Sequence, residues 1–126
     1  MMLSPDAKIL LADDSRIIRI AMSRILNELG YKNLVEAEDG VQAVARHAAE
    51  KPDLIFLDIV MPNLNGDEAL AQIRAADATT PVIMLSSVAK QSQIDACVAL
   101  GILEFVLKPL TAEDGKQTVR TLLERL

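Results

Sequence analysis

The chain has 126 residues, 51% of them hydrophobic, which is material for one domain with a proper core and is not the composition of a disordered segment. A formal charge of −5 and a sequence pI of about 4.8 exclude the basic footprint of a nucleic-acid binder and electrostatic attachment to anionic membranes. One cysteine, Cys97, and one histidine, His47, permit neither an intrachain disulfide nor a zinc site of Cys and His ligands.

In chain order, Lys8 to Ala12 reads as a buried strand. This run is too short for a signal peptide or a membrane span, and Asp13-Asp14 follows it directly, so a reducing, cytoplasmic setting is expected. Ser15 is a good N-cap for a helix with Ile18, Met22, Ile25 and Leu29 on its apolar face, and Gly30 stands at its stop. Asn33 to Ala37 is a second, weaker strand. Asp39-Gly40 turns into a helix with Val41, Val44, Ala45 and Ala48 on one face. Pro52 precedes the strand Leu54 to Leu57, which ends at Asp58. The loop from Met61 to Gly66 is dense in turn formers, and a helix with Leu70 and Ile73 follows. Pro81 opens the strand Val82 to Leu85, ending at Ser86. A helix over Gln91 to Leu100 is closed by Gly101. Glu104 to Leu107 is the last strand, ending at Lys108-Pro109, and the last helix carries Val119, Leu122, Leu123 and Leu126.

Five apolar strands alternating with five helices predict an α/β fold, a doubly wound parallel sheet covered on both faces, in one domain spanning residues 1–126. Ligands in such folds bind beyond the carboxyl ends of the strands. The polar residues delivered there are Asp13 and Asp14, then Asp58, Ser86 and Lys108. Three clustered carboxylates call for a cation, and hard oxygen ligands without sulfur or imidazole point to Mg²⁺. With an ammonium from Lys108 and a hydroxyl from Ser86, the set is a cradle for phosphoryl transfer, in which a carboxylate can act as nucleophile.

The acidic pair Asp13-Asp14 after Ile9-Leu10-Leu11-Ala12, the segment from Glu36 to Gly40, and Asp58 with Met61-Pro62 and Gly66 form an ordered series. Val82 to Ser86 and Phe105 to Pro109 complete it. In that order and spacing the chain resembles the receiver domains of bacterial two-component response regulators, of the single-domain chemotaxis-regulator kind. The resemblance implies a flavodoxin-like sheet of order 2-1-3-4-5 and a phosphoprotein acting in phosphorelay signal transduction. It makes Asp58 the phosphoacceptor. Mg²⁺ would be held by Asp14, Asp58 and the backbone carbonyl of Val60, with Asp13 helping through water. Lys108 would pair with a phosphoryl oxygen, and Ser86 and Phe105 would form the switch. The Lys108-Pro109 bond is usually cis in the family. The expected donor is a sensor histidine kinase or a histidine phosphotransfer protein. The expected target is a protein docking on the face of the fourth helix, last strand and last helix, with no nucleic-acid or membrane partner. Self-catalysed phosphotransfer and dephosphorylation are the only chemistry, so this is a switch and not a turnover enzyme. Val60 and Val88, two residues beyond Asp58 and Ser86, predict slow decay of the phosphorylated state.

Plainer readings stand beside these. Asp14 could cap a helix, Lys108 could be a solvated surface residue, Ser86 a turn residue and Phe105 ordinary core. His47 reads as a surface helix residue facing away from the site. Gly115 departs from the family and predicts a last helix that starts loosely or later than Thr111, since an interior glycine costs about 1 kcal/mol relative to alanine. Rival functions are an aspartate-nucleophile phosphohydrolase, a receiver cut from a larger DNA-binding regulator or hybrid kinase, and a degenerate receiver. Against the first, Val60 occupies the position where a second acid would be needed.

Overall fold

The computed structural model describes residues 3–87, 89–108 and 112–126. Val88 and the Lys108-Pro109 bond lie outside the described residues. The elements are β1 (Ile9–Ala12), α1 (Arg16–Glu28), β2 (Leu34–Ala37), α2 (Gly40–Glu50), β3 (Leu54–Asp58), α3 (Gly66–Ala76), β4 (Val82–Ser86), α4 (Gln91–Leu100), β5 (Glu104–Leu107) and α5 (Ala112–Leu123).

The strands form one parallel sheet in the order β2-β1-β3-β4-β5, so the expected order holds. Side chains alternate across a strand, yet the central strands are apolar at nearly every position because both faces are covered. On one face Ile9, Leu11, Phe56, Ile83 and Leu85 join a core with Met22, Ile25 and Leu26 of α1 and Val119, Leu122 and Leu123 of α5. On the other, Leu10, Ala12, Ile55, Leu57, Val82 and Met84 join a core with Ala43 of α2, Ala69, Leu70 and Ile73 of α3 and Cys97 of α4. Each fully buried Leu or Ile contributes roughly 1.5–3 kcal/mol relative to exposure. The edge strand β5 is different: Val106 is buried, while Leu107 is 77% exposed.

Two expectations for α2 are corrected. Val41, Ala45 and Ala48 are exposed, Val44 is half-buried, and the inner face is Gly40, Ala43 and His47. Small residues let this helix approach its neighbours closely. His47 is buried because it has a partner: its Nε2 lies 2.9 Å from Oδ2 of Asp77, which ends α3. The pair joins α2 to α3 at the ends of those helices remote from their first turns, so His47 does lie away from the predicted site.

The described α5 begins at Ala112, with Gly115 buried in its first turns. Gly115 lines a groove of about 820 Å³ between β5 and α5, together with Phe105, Leu107, Thr118 and Leu122. No helix among the described residues is long and apolar enough to cross a membrane.

Candidate functional site

Parallel strands run the same way, so the last residues of β3 and β4, Asp58 and Ser86, share one edge of the sheet with the residues just beyond β1 and β5, Asp13-Asp14 and Lys108. Asp13 is 2% exposed, Asp58 4% and Ser86 4%, whereas Asp14 is exposed. Asp13, Asp14 and Asp58 each offer a carboxylate oxygen within 4.8 Å of the other two. Lys108 Nζ sits 2.9 Å from Asp13 Oδ2 and 3.2 Å from Asp58 Oδ2. Ser86 and Lys108 are tied at the backbone, where the Lys108 N–H donates to the Ser86 carbonyl at 2.8 Å.

Every polar group of Asp13 is engaged. Its N–H donates to the Ala37 carbonyl at 3.1 Å, which extends the β1–β2 ladder by one residue. Oδ1 accepts from the Ser15 N–H at 2.9 Å, and Oδ2 accepts from Lys108. Its carbonyl accepts from Arg19 Nη1 at 2.7 Å. Ser15 then caps α1 by accepting from the Ile18 N–H. Asp14 therefore does not serve as the cap.

The loop after β3 is pinned on both sides of Val60. The Ile59 N–H donates to the Leu85 carbonyl, the Ile59 carbonyl accepts from the Gly66 N–H at 2.7 Å, and the Met61 N–H donates to Asn65 Oδ1 at 3.3 Å. Gly66 is required by close approach, because a Cβ there would stand 1.9 Å from the Asp58 carbonyl oxygen. The loop is also clamped to α2. Asn63, at a left-handed φ of 68°, donates from Nδ2 to Asp39 Oδ2 at 2.7 Å, and a Cβ on Gly40 would stand 2.0 Å from the Leu64 carbonyl oxygen. Asp39 Oδ1 meanwhile accepts from the Gln42 N–H to cap α2.

The electrostatics follow from burial and crowding. Burial, and then the neighbouring Asp13 charge, push the Asp58 carboxyl up to about 6 against the opposing pull of Lys108. Burial alone would lower Lys108, but hydrogen bonds and charge from Asp13 and Asp58 outweigh it and hold the ammonium above its ordinary value. Among the described residues one ammonium, paired with Asp13 and Asp58, stands against three carboxylates, so the cluster has uncompensated negative charge in a partly dry setting. An all-oxygen donor set of that kind fits a hard divalent cation such as Mg²⁺.

The structure thus brings Asp13, Asp14, Asp58 and Lys108 together, and places Ser86 and Val60 on the flanking strand end and loop. Phe105 stands apart on β5, half-buried and packed against the core on the α2–α4 side of the sheet. The sequence reading passed over Arg19. A charged residue on a helix reads as solvated, and only the β1–β2 pairing brings Glu36 within 2.9 Å of its Nε.

Comparison with known proteins agrees with this geometry. The response regulator receiver domain family matches residues 9–120. The chemotaxis protein CheY of Listeria monocytogenes is 37% identical over 106 residues, covering 84% of this chain and 89% of that one. CheY of Bacillus subtilis is 36% identical over 106 residues, covering 84% and 88%. Among solved structures, the CheX-CheY-BeF3-Mg complex from Borrelia burgdorferi gives a TM-score of 0.82 at 29% identity, covering 92% of this chain and 88% of that chain. A CheY-like receiver from Methanospirillum hungatei gives 0.85 at 22% identity, which speaks to the fold alone. The sheet order, the acidic edge and these matches converge: the chain belongs to the response regulator receiver domain family.

Proposed function

We propose that this chain is a phosphorelay switch in which Asp58 accepts one phosphoryl group. The observation that carries it is the Lys108 ammonium lying against both Asp13 and Asp58 within the acidic cluster at the sheet edge. A carboxylate oxygen of Asp58 attacks the phosphorus of a donor phosphoimidazole. A P–O bond forms, the P–N bond breaks, and the leaving imidazole takes up a proton. Lys108 pairs with a phosphoryl oxygen as charge moves onto it, and the Ser86 hydroxyl donates to another. Asp14, Asp58 and the Val60 carbonyl, with Asp13 through water, would hold Mg²⁺, which supplies charge neutralisation at the phosphoryl oxygens. In support, the Borrelia burgdorferi relative is seen with BeF3 and Mg²⁺.

The donor is a sensor histidine kinase or a histidine phosphotransfer protein, and the response is read on the face of α4, β5 and α5 by a protein target. The setting is cytoplasmic, residues 1–126 act as one receiver domain, and its chemistry is limited to its own phosphorylation and dephosphorylation. A phosphohydrolase is not favoured, because the residue two beyond Asp58 is Val60, an apolar side chain that is 51% exposed and holds no acid.

Acetyl phosphate with Mg²⁺ tests this. Intact-mass measurement should show a gain of one phosphoryl group in the wild type and none in Asp58→Asn. Undiminished labelling of the variant overturns the assignment. With no Trp in the chain, mass is the direct readout.

A further inference from the structure

Arg19 is the buried charged side chain on α1, 7% exposed, and the proposed chemistry leaves it unused. A buried guanidinium loses hydration, and an apolar residue would fill the same space at less cost. Its burial in spite of that cost calls for a geometric role, and its hydrogen bonds indicate one. Nη1 donates to the Asp13 carbonyl at 2.7 Å, Nε donates to Glu36 Oε1 at 2.9 Å, and Nη2 lies 3.7 Å from Glu38 Oε1. Glu36 belongs to β2 and Glu38 follows that strand, while Arg19 belongs to α1. One rigid, planar group therefore spans a helix, a strand and the turn between β1 and α1.

The acceptor at the turn matters most. The Asp13 carbonyl belongs to the peptide that joins Asp13 to Asp14. The Asp13 N–H and both carboxylate oxygens are already fixed by Ala37, Ser15 and Lys108. The bond from Arg19 removes the remaining rotation of that peptide plane. Asp14 is exposed, and among the described residues its carboxylate is aimed, apart from its own rotamer, only by the backbone that carries it.

We infer that Arg19 is a positioning residue for the cation site, setting the Asp13-Asp14 peptide so that both carboxylates converge with Asp58. The inference rests on the reading of that cluster as a Mg²⁺ site. Lysine cannot replace it, because a single ammonium on a flexible stem cannot reach the Asp13 carbonyl and Glu36 in one plane. Partners that orient metal ligands typically change affinity by about 10–100-fold when removed.

The test titrates Mg²⁺ into the full chain by calorimetry and follows the Asp13 and Asp14 amide resonances by NMR. The variants are Arg19→Lys, Arg19→Met and Met22→Ala. Met22 is a buried neighbour on α1 that belongs to the hydrophobic core, so Met22→Ala reports what loss of helix packing alone does. The expected result is Mg²⁺ binding about tenfold or more weaker in both Arg19 variants, with the Asp13 and Asp14 resonances displaced before Mg²⁺ is added, and unchanged affinity in Met22→Ala. Wild-type affinity in Arg19→Lys, or equal weakening in Met22→Ala, overturns the positioning role while leaving the metal site intact. Absence of Mg²⁺ binding by the wild type overturns the site itself, and the inference with it.

Discussion

Lys108 Nζ reaches Asp58 Oδ2 at 3.2 Å while keeping a closer 2.9 Å bond to Asp13, so one ammonium is divided between the acid proposed to be phosphorylated and the acid beside it. Its charge lowers the repulsion within the cluster and also stands where phosphoryl oxygens would arrive. These two roles predict opposite consequences of removing it. In Lys108→Met, Mg²⁺ should bind as tightly as in the wild type or more tightly, because a competing cation is gone. Phosphorylation should slow by roughly 10²–10³-fold, the usual cost of losing one preorganised donor to a transition state. Calorimetry and intact-mass time courses measure the two separately, and parallel loss of both would contradict the division of roles.

Val60 is half-exposed beside Asp58 and offers no hydrogen bond to orient an attacking water. Val60→Asn should shorten the lifetime of the phosphorylated state several-fold. Loss of the added mass after the donor is removed gives the rate, and an unchanged lifetime would contradict the shielding role.

Phe105 lies half-buried on β5, packed against the core on the α2–α4 side of the sheet. A ring able to exchange a half-buried position for a more exposed one would be an element that a phosphoryl group can bias through Ser86 and Lys108. Phe105→Ala should still gain one phosphoryl group at Asp58. Its NMR shift changes on phosphorylation in α4 and α5 should be much smaller than in the wild type. Changes of wild-type size would make Phe105 ordinary core.

Gly66 stands against the Asp58 carbonyl, where an added Cβ would be 1.9 Å from backbone oxygen and 2.8 Å from the Ile59 Cα. Backbone cannot yield as a side chain can. Gly66→Ala should cost about 3 kcal/mol, at the upper end for overpacking, and should lower the urea midpoint with an unchanged slope. A midpoint equal to the wild type would show that the loop has another conformation to use.

Asp77 is held well below the usual carboxylate range, first by the His47 imidazole and then by the Thr80 hydroxyl. A depressed value in the fold means that its contribution is complete above the unfolded carboxyl's titration near pH 4 and is lost as pH falls below it. Asp77→Asn should therefore be destabilised at neutral pH by about 1.5–3 kcal/mol, the range for hydrogen bonds to a charged group. The difference from the wild type should shrink steadily from pH 4 downward. Thermal melts at pH 7, 4 and 2.5 measure it, and a penalty that stays constant would exclude the ionised Asp77 carboxylate as its source.

The strands were legible because apolar runs end at charged or turn-forming residues, as Ala12 meets Asp13 and Leu107 meets Lys108. The acidic edge was legible because a parallel sheet puts every strand end in one place. The inner face of α2 was not, since hydropathy favours Val41 and Ala45 over His47. What decides the face is a partner 30 positions away, Asp77, which makes the imidazole cheaper to bury than a valine is to expose. Arg19 escaped notice for the same reason, its acceptors lying on two other segments.

The contact between the start of α2 and the loop after β3 has a consequence for exchanging parts between relatives. Asp39 with Asn63, and Gly40 with Leu64, are two halves of one joint, although more than 20 positions separate them. A chimera whose crossover falls between Gly40 and Asn63 inherits each half from a different parent. Unless both parents carry the acid, the amide and the glycine, the loop that presents Val60 loses its seat. Transplanting β2 and α2 alone should thus disturb the far side of Asp58. Moving the block from Glu36 through Gly66 as a unit should carry the geometry intact.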